Sequence, residues 1–138
     1  MTEHTGSNAQ NITGIWQGTY CYPFGLGPVF FMATLIEAGS SLTGTTHEAG
    51  RWTVGSDPDV TLYASLSGSR HGGAVAFVKT YDGGNPHYRP INYEGILSGD
   101  GTEIEGRWII SRIFSGTFRM IRPARTAESV SRKVFEHA

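Results

Sequence analysis

The segment at residues 91–110, INYEGILSGDGTEIEGRWII, constrains the fold most, because it predicts a single β-hairpin of defined register. Its Asp100-Gly101 pair is typical of a two-residue type I′ turn, in which both central residues need a positive φ. With these residues as the loop, one face is apolar and aromatic, since side chains alternate with period two. The pairs on that face are Leu97 with Ile104, Gly95 with Gly106, Tyr93 with Trp108 and Ile91 with Ile110. A three-residue loop would mix the polar and apolar faces, so we favour the two-residue turn.

Two glycines, Gly95 and Gly106, oppose each other in the middle of this hairpin. Glycine at such a position lets a strand bend sharply or leaves room for a ligand, and the two interpretations are compatible. Gly18, Gly44 and Gly116 fall on the predicted inward faces of other strands. Because this placement recurs, a need for bending is the favoured explanation.

The remaining segments alternate in the same way between turn-rich stretches, which predicts further strands. We expect strands at residues 13–22, 29–37, 42–49, 59–67, 74–81, 87–98, 102–111 and 116–122. The predicted domain covers residues 13–122, after a disordered segment at 1–12 and before a tail at 123–138 whose spacing suggests a short C-terminal helix. Eight consecutive strands with short connections predict an all-β fold, an eight-stranded antiparallel up-and-down β-barrel. Such a barrel encloses side chains or one small ligand.

Charge and cysteine content exclude several classes of protein. The formal net charge is -1, so the chain lacks the electrostatic footprint of a protein that binds nucleic acid or an acidic membrane. The single cysteine, Cys21, excludes an internal disulfide framework. The start, MTEHTGSNAQ, does not resemble a signal peptide, and no apolar run approaches the roughly 20 residues of a membrane span. We therefore expect a cytoplasmic protein with neither nucleic acid nor a membrane as its partner.

The strand at residues 29–37 is apolar on both faces, since Phe30, Met32 and Ile36 alternate with Val29, Phe31, Ala33 and Leu35. In an antiparallel sheet the outer apolar face of such a strand needs cover. A subunit interface or the C-terminal segment could supply it, and we expect a homo-oligomer formed through residues 29–37.

Five short segments resemble those of one group of barrels. They are TGIW at 13–16, SLTGTTHE at 41–48, AVAFVK at 74–79, YEG at 93–95 and RWII at 107–110. The first resembles the Gly-x-Trp start of lipocalin-like (calycin) barrels and of avidin and streptavidin, and the others resemble avidin strands in the same order. The resemblance covers residues 13–120 and implies a barrel with a central cavity.

Departures from the avidin pattern bear on which ligand the resemblance implies. Thr46 and Glu48 stand where avidins place the Tyr and Ser that contact biotin, and Phe77 stands where avidins have Trp. A carboxylate at position 48 would repel the ureido carbonyl of biotin. The resemblance therefore implies the barrel and its cavity but not biotin binding.

The predicted inward faces carry an unusual set of aromatic and polar side chains. We take these as candidate ligand-binding residues: Trp16, Tyr20, Tyr22, Thr46, Glu48, Phe77, Lys79, Tyr93, Trp108 and Phe118. Buried Tyr and Trp need partners for their polar atoms, so the set could be a self-satisfied network. It could equally line an aromatic pocket for a small apolar or aromatic molecule.

Two charged residues, Glu48 and Lys79, fall on these inward faces. Buried charges must be paired or shift their pKa, so a structural ion pair is the simpler interpretation. Acid–base catalysis with Tyr81 or Tyr93 is the alternative. The five histidines lack metal-ligand spacing and no catalytic triad or phosphate loop is recognisable, so we expect no metal, no cofactor and no catalytic residue. The sequence thus favours a small-molecule-binding barrel over an isomerase- or cyclase-type enzyme or a structural oligomerisation module.

Overall fold

The computed structural model describes residues 11–25, 27–49, 60–83 and 89–124. These residues form eight strands: β1 Gly14–Cys21, β2 Val29–Ala38, β3 Ser41–Ala49, β4 Thr61–His71, β5 Ala74–Tyr81, β6 Ile91–Leu97, β7 Glu103–Ser111 and β8 Phe114–Ile121. Each strand pairs antiparallel with the next, and β8 pairs with β1 to close the barrel. The predicted all-β, eight-stranded antiparallel barrel is confirmed, and it is consistent with a calycin-like fold. The predicted C-terminal helix and most of the predicted disordered segment lie outside the described residues.

The hairpin of β6 and β7 has the predicted register, with Tyr93 opposite Trp108 and Gly95 opposite Gly106. The predicted type I′ turn is wrong, because only Gly101 has a positive φ and Asp100 does not. The Ser98 N–H donates to the Glu103 carbonyl and the Gly101 N–H donates to the Ser98 carbonyl, which makes a four-residue loop. Such loops are usually built around a type I turn.

The Asp100 carboxylate explains why this turn replaces the predicted one. It accepts hydrogen bonds from the hydroxyls of Ser98 and Thr102 at 2.8 Å and 2.7 Å. Asp side chains commonly cap their own turn in this manner, which removes the need for a left-handed conformation at Asp100. The register of β6 with β7 is unchanged, because the four-residue loop contains one more residue on each side than the predicted two-residue loop.

β4 is longer than predicted and ends at His71, so the turn lies at residues 72–73 rather than 69–73. The Arg70 side chain explains the extension. Its Nε donates to Glu37 Oε2 at 2.7 Å, and its Nη1 donates to the Gly72 carbonyl at 2.7 Å. These bonds hold the polar SGSR stretch in the sheet, although its composition is typical of a turn.

The barrel has two distinct ends. We call the end at which β1, β3, β5 and β7 begin the lower end, and the end at which they finish the upper end. At the lower end, Ile12 and Trp16 are fully buried, and Trp16 Nε1 donates to the Ile12 carbonyl at 3.0 Å. The Arg122 guanidinium lies over the Trp16 ring at 4.6 Å and donates to the carbonyls of Gly101 and Asn11. The segment before β1 therefore closes the lower end.

Inward-facing glycines allow the strands to approach closely. A Cβ atom on Gly106 would lie 1.9 Å from the Glu94 carbonyl oxygen, and one on Gly18 would lie 2.1 Å from the Phe31 ring. Neighbouring backbone and side chains fill the space at these positions, which favours the bending interpretation over room for a ligand.

Candidate functional site

A buried ion pair lies near the upper end of the barrel. Glu48 is the next-to-last residue of β3, and Lys79 lies near the end of β5. Lys79 Nζ is 2.7 Å from Glu48 Oε1, and the two side chains are 1% and 2% exposed. The predicted inward orientation of both residues is confirmed.

The geometry of β4 lets this pair form. β4 lies between β3 and β5, so the two side chains must meet across its inner face. By register, Leu62 lies opposite Glu48 and Leu66 lies opposite Lys79, and the inward residue of β4 between these two levels is Ala64. Since alanine has only one methyl group, it leaves space for the charged groups to reach each other.

Two tyrosine hydroxyls complete the coordination of the carboxylate. Tyr20, on β1, donates to Glu48 Oε2, and Tyr81, the last residue of β5, donates to Oε1 at 2.9 Å. Glu48 thus accepts three hydrogen bonds, as a buried carboxylate requires. Sequence reasoning considered Tyr81 only as a catalytic partner and left it out of the candidate site, although it lies two positions after Lys79 on the same strand.

Aromatic rings surround the Lys79 ammonium. Its Nζ lies 4.7 to 5.8 Å from the ring centroids of a set that we call the aromatic cage: Tyr20, Phe31, Tyr81 and Tyr93. Ring faces attract cations, most strongly where water is excluded. Phe31 was missed from the sequence because β2 is apolar on both faces, and alternation could not show which face points inward.

Burial changes the acid–base properties of these groups. It lowers the pKa of the Lys79 ammonium, and the neighbouring Glu48 carboxylate opposes that shift only in part. Burial also raises the pKa values of Tyr20, Tyr81 and Tyr93, with a further contribution from the charge of Glu48. The tyrosines therefore stay protonated as neutral donors, while Lys79 releases its proton more readily than an exposed lysine does.

The other predicted ligand-binding residues form an aromatic layer beside the ion pair. Phe77 stacks on Tyr93 at 5.0 Å, and the Phe118 ring meets Tyr93 edge-on at 4.9 Å. Nearer the upper end, Trp108 meets Tyr22 at 5.7 Å. Trp108 and Tyr22 also contact Phe114, a half-buried residue that sequence reasoning did not include.

Two predicted residues differ from the rest of the set. Trp16 is buried at the lower end against Arg122, so the structure does not place it beside the ion pair. Thr46 faces inward on β3, and its hydroxyl is the one buried side-chain polar atom in the described ranges without a hydrogen-bond partner. Such an orphan hydroxyl is a natural contact for the polar group of a ligand.

The sequence also predicts that a ligand cavity opens near Trp52 and residues 82–86, and these residues lie largely outside the described ranges. A groove of about 400 Å³ lies on β1 to β4. Its lining includes outward-facing residues, among them Gln17, Phe30 and His47, and also the buried residues Phe31 and Glu48. The groove is open on the outer face, where Phe30 is 70% exposed, and it adjoins the ion pair at Glu48.

We call the Glu48–Lys79 pair, the hydroxyls of Tyr20 and Tyr81 and the surrounding rings the upper site. It offers a carboxylate, an amine and two hydroxyls among aromatic rings. In residues 11–25, 27–49, 60–83 and 89–124, no three His, Cys, Asp or Glu side chains come together as a metal site. The same stretches contain no helix with the length and apolar character needed to cross a membrane. Comparison of the sequence with protein-family models and with curated proteins finds no match.

Proposed function

We propose that the protein binds a small apolar or aromatic molecule near the upper end of the barrel and anchors its polar group on Glu48 and Lys79. One observation carries the proposal, namely the Glu48–Lys79 ion pair at 2.7 Å inside a cage of aromatic rings. Small-molecule sites typically combine apolar and aromatic surfaces with a few placed polar groups. The Thr46 hydroxyl adds a further polar contact.

Stability alone does not account for this pair. Removing two charges from water costs several kcal/mol each, and well-packed apolar residues in place of a buried pair are often neutral or stabilising. Titratable groups with a perturbed pKa and a specific charged partner are also typical of functional sites. Both arguments favour a role for the pair in binding.

We further propose that the chain is a divergent calycin barrel, with lipocalin-like and avidin-like features. The closed eight-stranded architecture and the Trp16 position at the start of β1 support this. Glu48, which occupies the place of a biotin contact in the resemblance, accepts three hydrogen bonds from the protein itself. This arrangement argues for a ligand other than biotin.

Binding can be tested with 1-anilinonaphthalene-8-sulfonate, an aromatic anion whose sulfonate can pair with Lys79. We expect Lys79→Met to weaken its binding at least about tenfold, the effect of one lost charge-assisted contact of 1.4 kcal/mol or more. Arg119→Gln removes an exposed cation from the outer face and should leave binding unchanged. Equal affinities of Lys79→Met and the wild type would contradict the proposal, and native mass spectrometry of the purified protein would reveal a retained ligand as added mass.

As a second candidate function we propose self-association through the outer face of β2. Phe30 and Ile36 are 70% and 55% exposed on this face, beside the groove. Exposed apolar patches commonly mark interaction sites. Light scattering should report an oligomer that Phe30→Asp dissociates, whereas Ile113→Asp, at an even more exposed apolar residue in the turn before β8, should not. A monomeric wild type would exclude this function.

A further inference from the structure

We propose that Lys79 forms a reversible imine with an aromatic or conjugated aldehyde, so that the ligand of the upper site is held covalently. This inference rests on the proposed binding function and assigns the chemical class of the ligand. An amine, its counter-ion and flat aromatic surfaces lie within one buried cluster. Lysine amines form imines with carbonyl compounds when a desolvated environment activates them.

The reaction conserves the charge inside the barrel. The Lys79 nitrogen forms a bond to the aldehyde carbon, and the carbon–oxygen bond breaks. The oxygen leaves as water with two of the three ammonium protons, and one proton stays on the nitrogen of the iminium product. Ammonium and iminium both carry one positive charge, so Glu48, at 2.7 Å, remains the counter-ion throughout. No additional charge has to be buried, which removes the main energetic obstacle to chemistry in this environment.

The same carboxylate can move the protons. Glu48 Oε1 already accepts a hydrogen bond from Lys79 Nζ, so it can accept the proton that must leave before the nitrogen attacks. It can then return that proton to the departing oxygen, as a general acid. Tyr20 and Tyr81 donate to Glu48 and hold its orientation during both transfers. Burial lowers the pKa of Lys79, which favours the uncharged, nucleophilic amine.

The aromatic cage favours an extended flat ligand. Rings of Tyr81, Tyr20, Phe31 and Tyr93 lie around Nζ at 4.7 to 5.8 Å. A conjugated iminium spreads its charge over a planar system, which such faces stabilise through cation–π interaction and stacking. The iminium of a saturated aldehyde would gain the cation–π interaction but not the stacking.

The cluster lies close to the upper end of the barrel, and we take this end as the route by which the ligand enters. Lys79 is followed in β5 by only Thr80 and Tyr81, and Glu48 is followed in β3 by only Ala49. At a rise of roughly 3.3 Å per residue, the Lys79 Cα is within about 7 Å of the end of β5. Tyr22 and Phe114 at this end are half-buried and belong to the aromatic layer that the ligand would meet first.

The lysine content allows a direct test, because Lys79 and Lys133 are the only lysines in the chain. The full-length protein would be incubated with cinnamaldehyde and cyanoborohydride near pH 7, and the reduced adducts mapped by peptide mass spectrometry. We expect modification of Lys79 to exceed that of Lys133, because its lowered pKa increases the share of free amine and the aromatic cage can hold the ligand beside Nζ. Lys133→Gln should leave the adduct unchanged, and Glu48→Gln should reduce it. Equal or weaker modification of Lys79 in the folded wild type would overturn the inference, without reliance on any variant.

Cinnamyl alcohol separates this inference from the proposed function, because it has the same shape but cannot form an imine. Its binding would be followed by native mass spectrometry. If the alcohol binds and the aldehyde leaves no adduct at Lys79, the imine is excluded and the binding function stands. If neither ligand binds, both proposals fail. An adduct at Lys79 that a tenfold excess of the alcohol suppresses supports both.

Discussion

Lys79 and Tyr81, two residues apart on β5, donate to the same oxygen of Glu48, at 2.7 Å and 2.9 Å. The other carboxylate oxygen accepts a hydrogen bond from Tyr20 on β1. A single side chain on β3 therefore joins three strands across the interior of the barrel. This arrangement makes Glu48 the most sensitive position of the site, since its loss leaves three donors without their acceptor.

Substitutions at the ion pair should be strongly non-additive. We expect Glu48→Gln to lower the free energy of unfolding by about 3–5 kcal/mol, because it leaves the buried Lys79 ammonium without a counter-ion. The double variant Glu48→Gln/Lys79→Met should be more stable than either single variant, because no unpaired charge remains. Urea unfolding followed by circular dichroism measures both values. In the exposed Glu103–Arg119 pair, Arg119→Gln should cause no measurable change. Additive costs at Glu48 and Lys79 would contradict the prediction.

Alkaline pH should unfold the protein through its buried tyrosines. The pKa values of Tyr20, Tyr81 and Tyr93 are raised in the folded protein, so the folded state holds three protons that the unfolded chain releases above about pH 10. Stability is therefore present below pH 10 and lost above it, by about 4 kcal/mol per pH unit for three protons. The contribution of Lys79 to the pH dependence of stability has the opposite sign. Because its pKa is lowered in the folded protein, the free energy of unfolding rises with pH until the unfolded lysine also loses its proton, near pH 10.4.

The part of the absorbance at 295 nm that reports ionisation of the buried tyrosines should then rise together with the loss of circular dichroism. Tyr93→Phe should reduce the alkaline slope of the unfolding free energy by about one third, the share of one proton among three. Tyr63→Phe, on the exposed outer face of β4, is the matched control and should not change the slope. Ionisation of all the tyrosines in the folded protein would refute the prediction.

Arg122 should be essential to the lower end. Replacement by Lys removes the guanidinium group that donates to the carbonyls of Gly101 and Asn11, and it uncovers the Trp16 ring. We expect a loss of about 2–4 kcal/mol, from unpaired carbonyl groups and a lost cation–π contact, because one ammonium cannot replace the planar guanidinium. Arg119→Lys, three positions earlier on the outer face, should have little effect. Equal unfolding midpoints for the two variants in urea would count against this role.

The close approach of β6 and β7 can be tested at Gly106. Gly106→Ala would place a methyl group 1.9 Å from the Glu94 carbonyl oxygen, and the paired backbone cannot move without breaking the sheet. We expect this overpacking to cost about 1–3 kcal/mol or more. Gly99→Ala, in the turn of the same hairpin, meets no atom within 4 Å and should be nearly neutral. Thermal unfolding compares the two, and a neutral Gly106→Ala would show that this part of the barrel is loosely packed.

Several features were predictable because they follow from the period of two along a strand. The register of Tyr93 with Trp108 followed from hydrophobic alternation, although the turn that closes the hairpin differed. The inward orientation of Lys79 followed in the same way, because it shares one face of β5 with Val75 and Phe77. That of Glu48 followed from the period alone, because it shares a face of β3 with Leu42, the one large apolar residue of that strand. The error in the turn type therefore did not change the predicted strand register or the predicted barrel.

Other features depend on contacts between distant segments and had no local signal. Phe31 belongs to a strand without polar alternation, so its inward face is set by packing against Gly18 rather than by its own sequence. The role of Arg122 arises from carbonyl groups as far away as Asn11, 111 positions earlier in the chain. The extension of β4 depends on the partner of Arg70 in β2. Neither the alternation of apolar residues along a strand nor the turn-forming residues indicate these long-range contacts.

The strand order of the barrel closes on itself, because β8 pairs with β1 and Arg122, just after β8, donates to the carbonyl of Asn11, just before β1, at 2.8 Å. β8 and β1 are neighbours of the same kind as any two consecutive strands, and they differ only in lacking a covalent loop. The break between them is equivalent to the exposed turn at residues 72–73, which joins β4 to β5. A circular permutant that joins the two ends and opens that turn would keep all eight strand pairs, because the order of strands has no obligatory beginning.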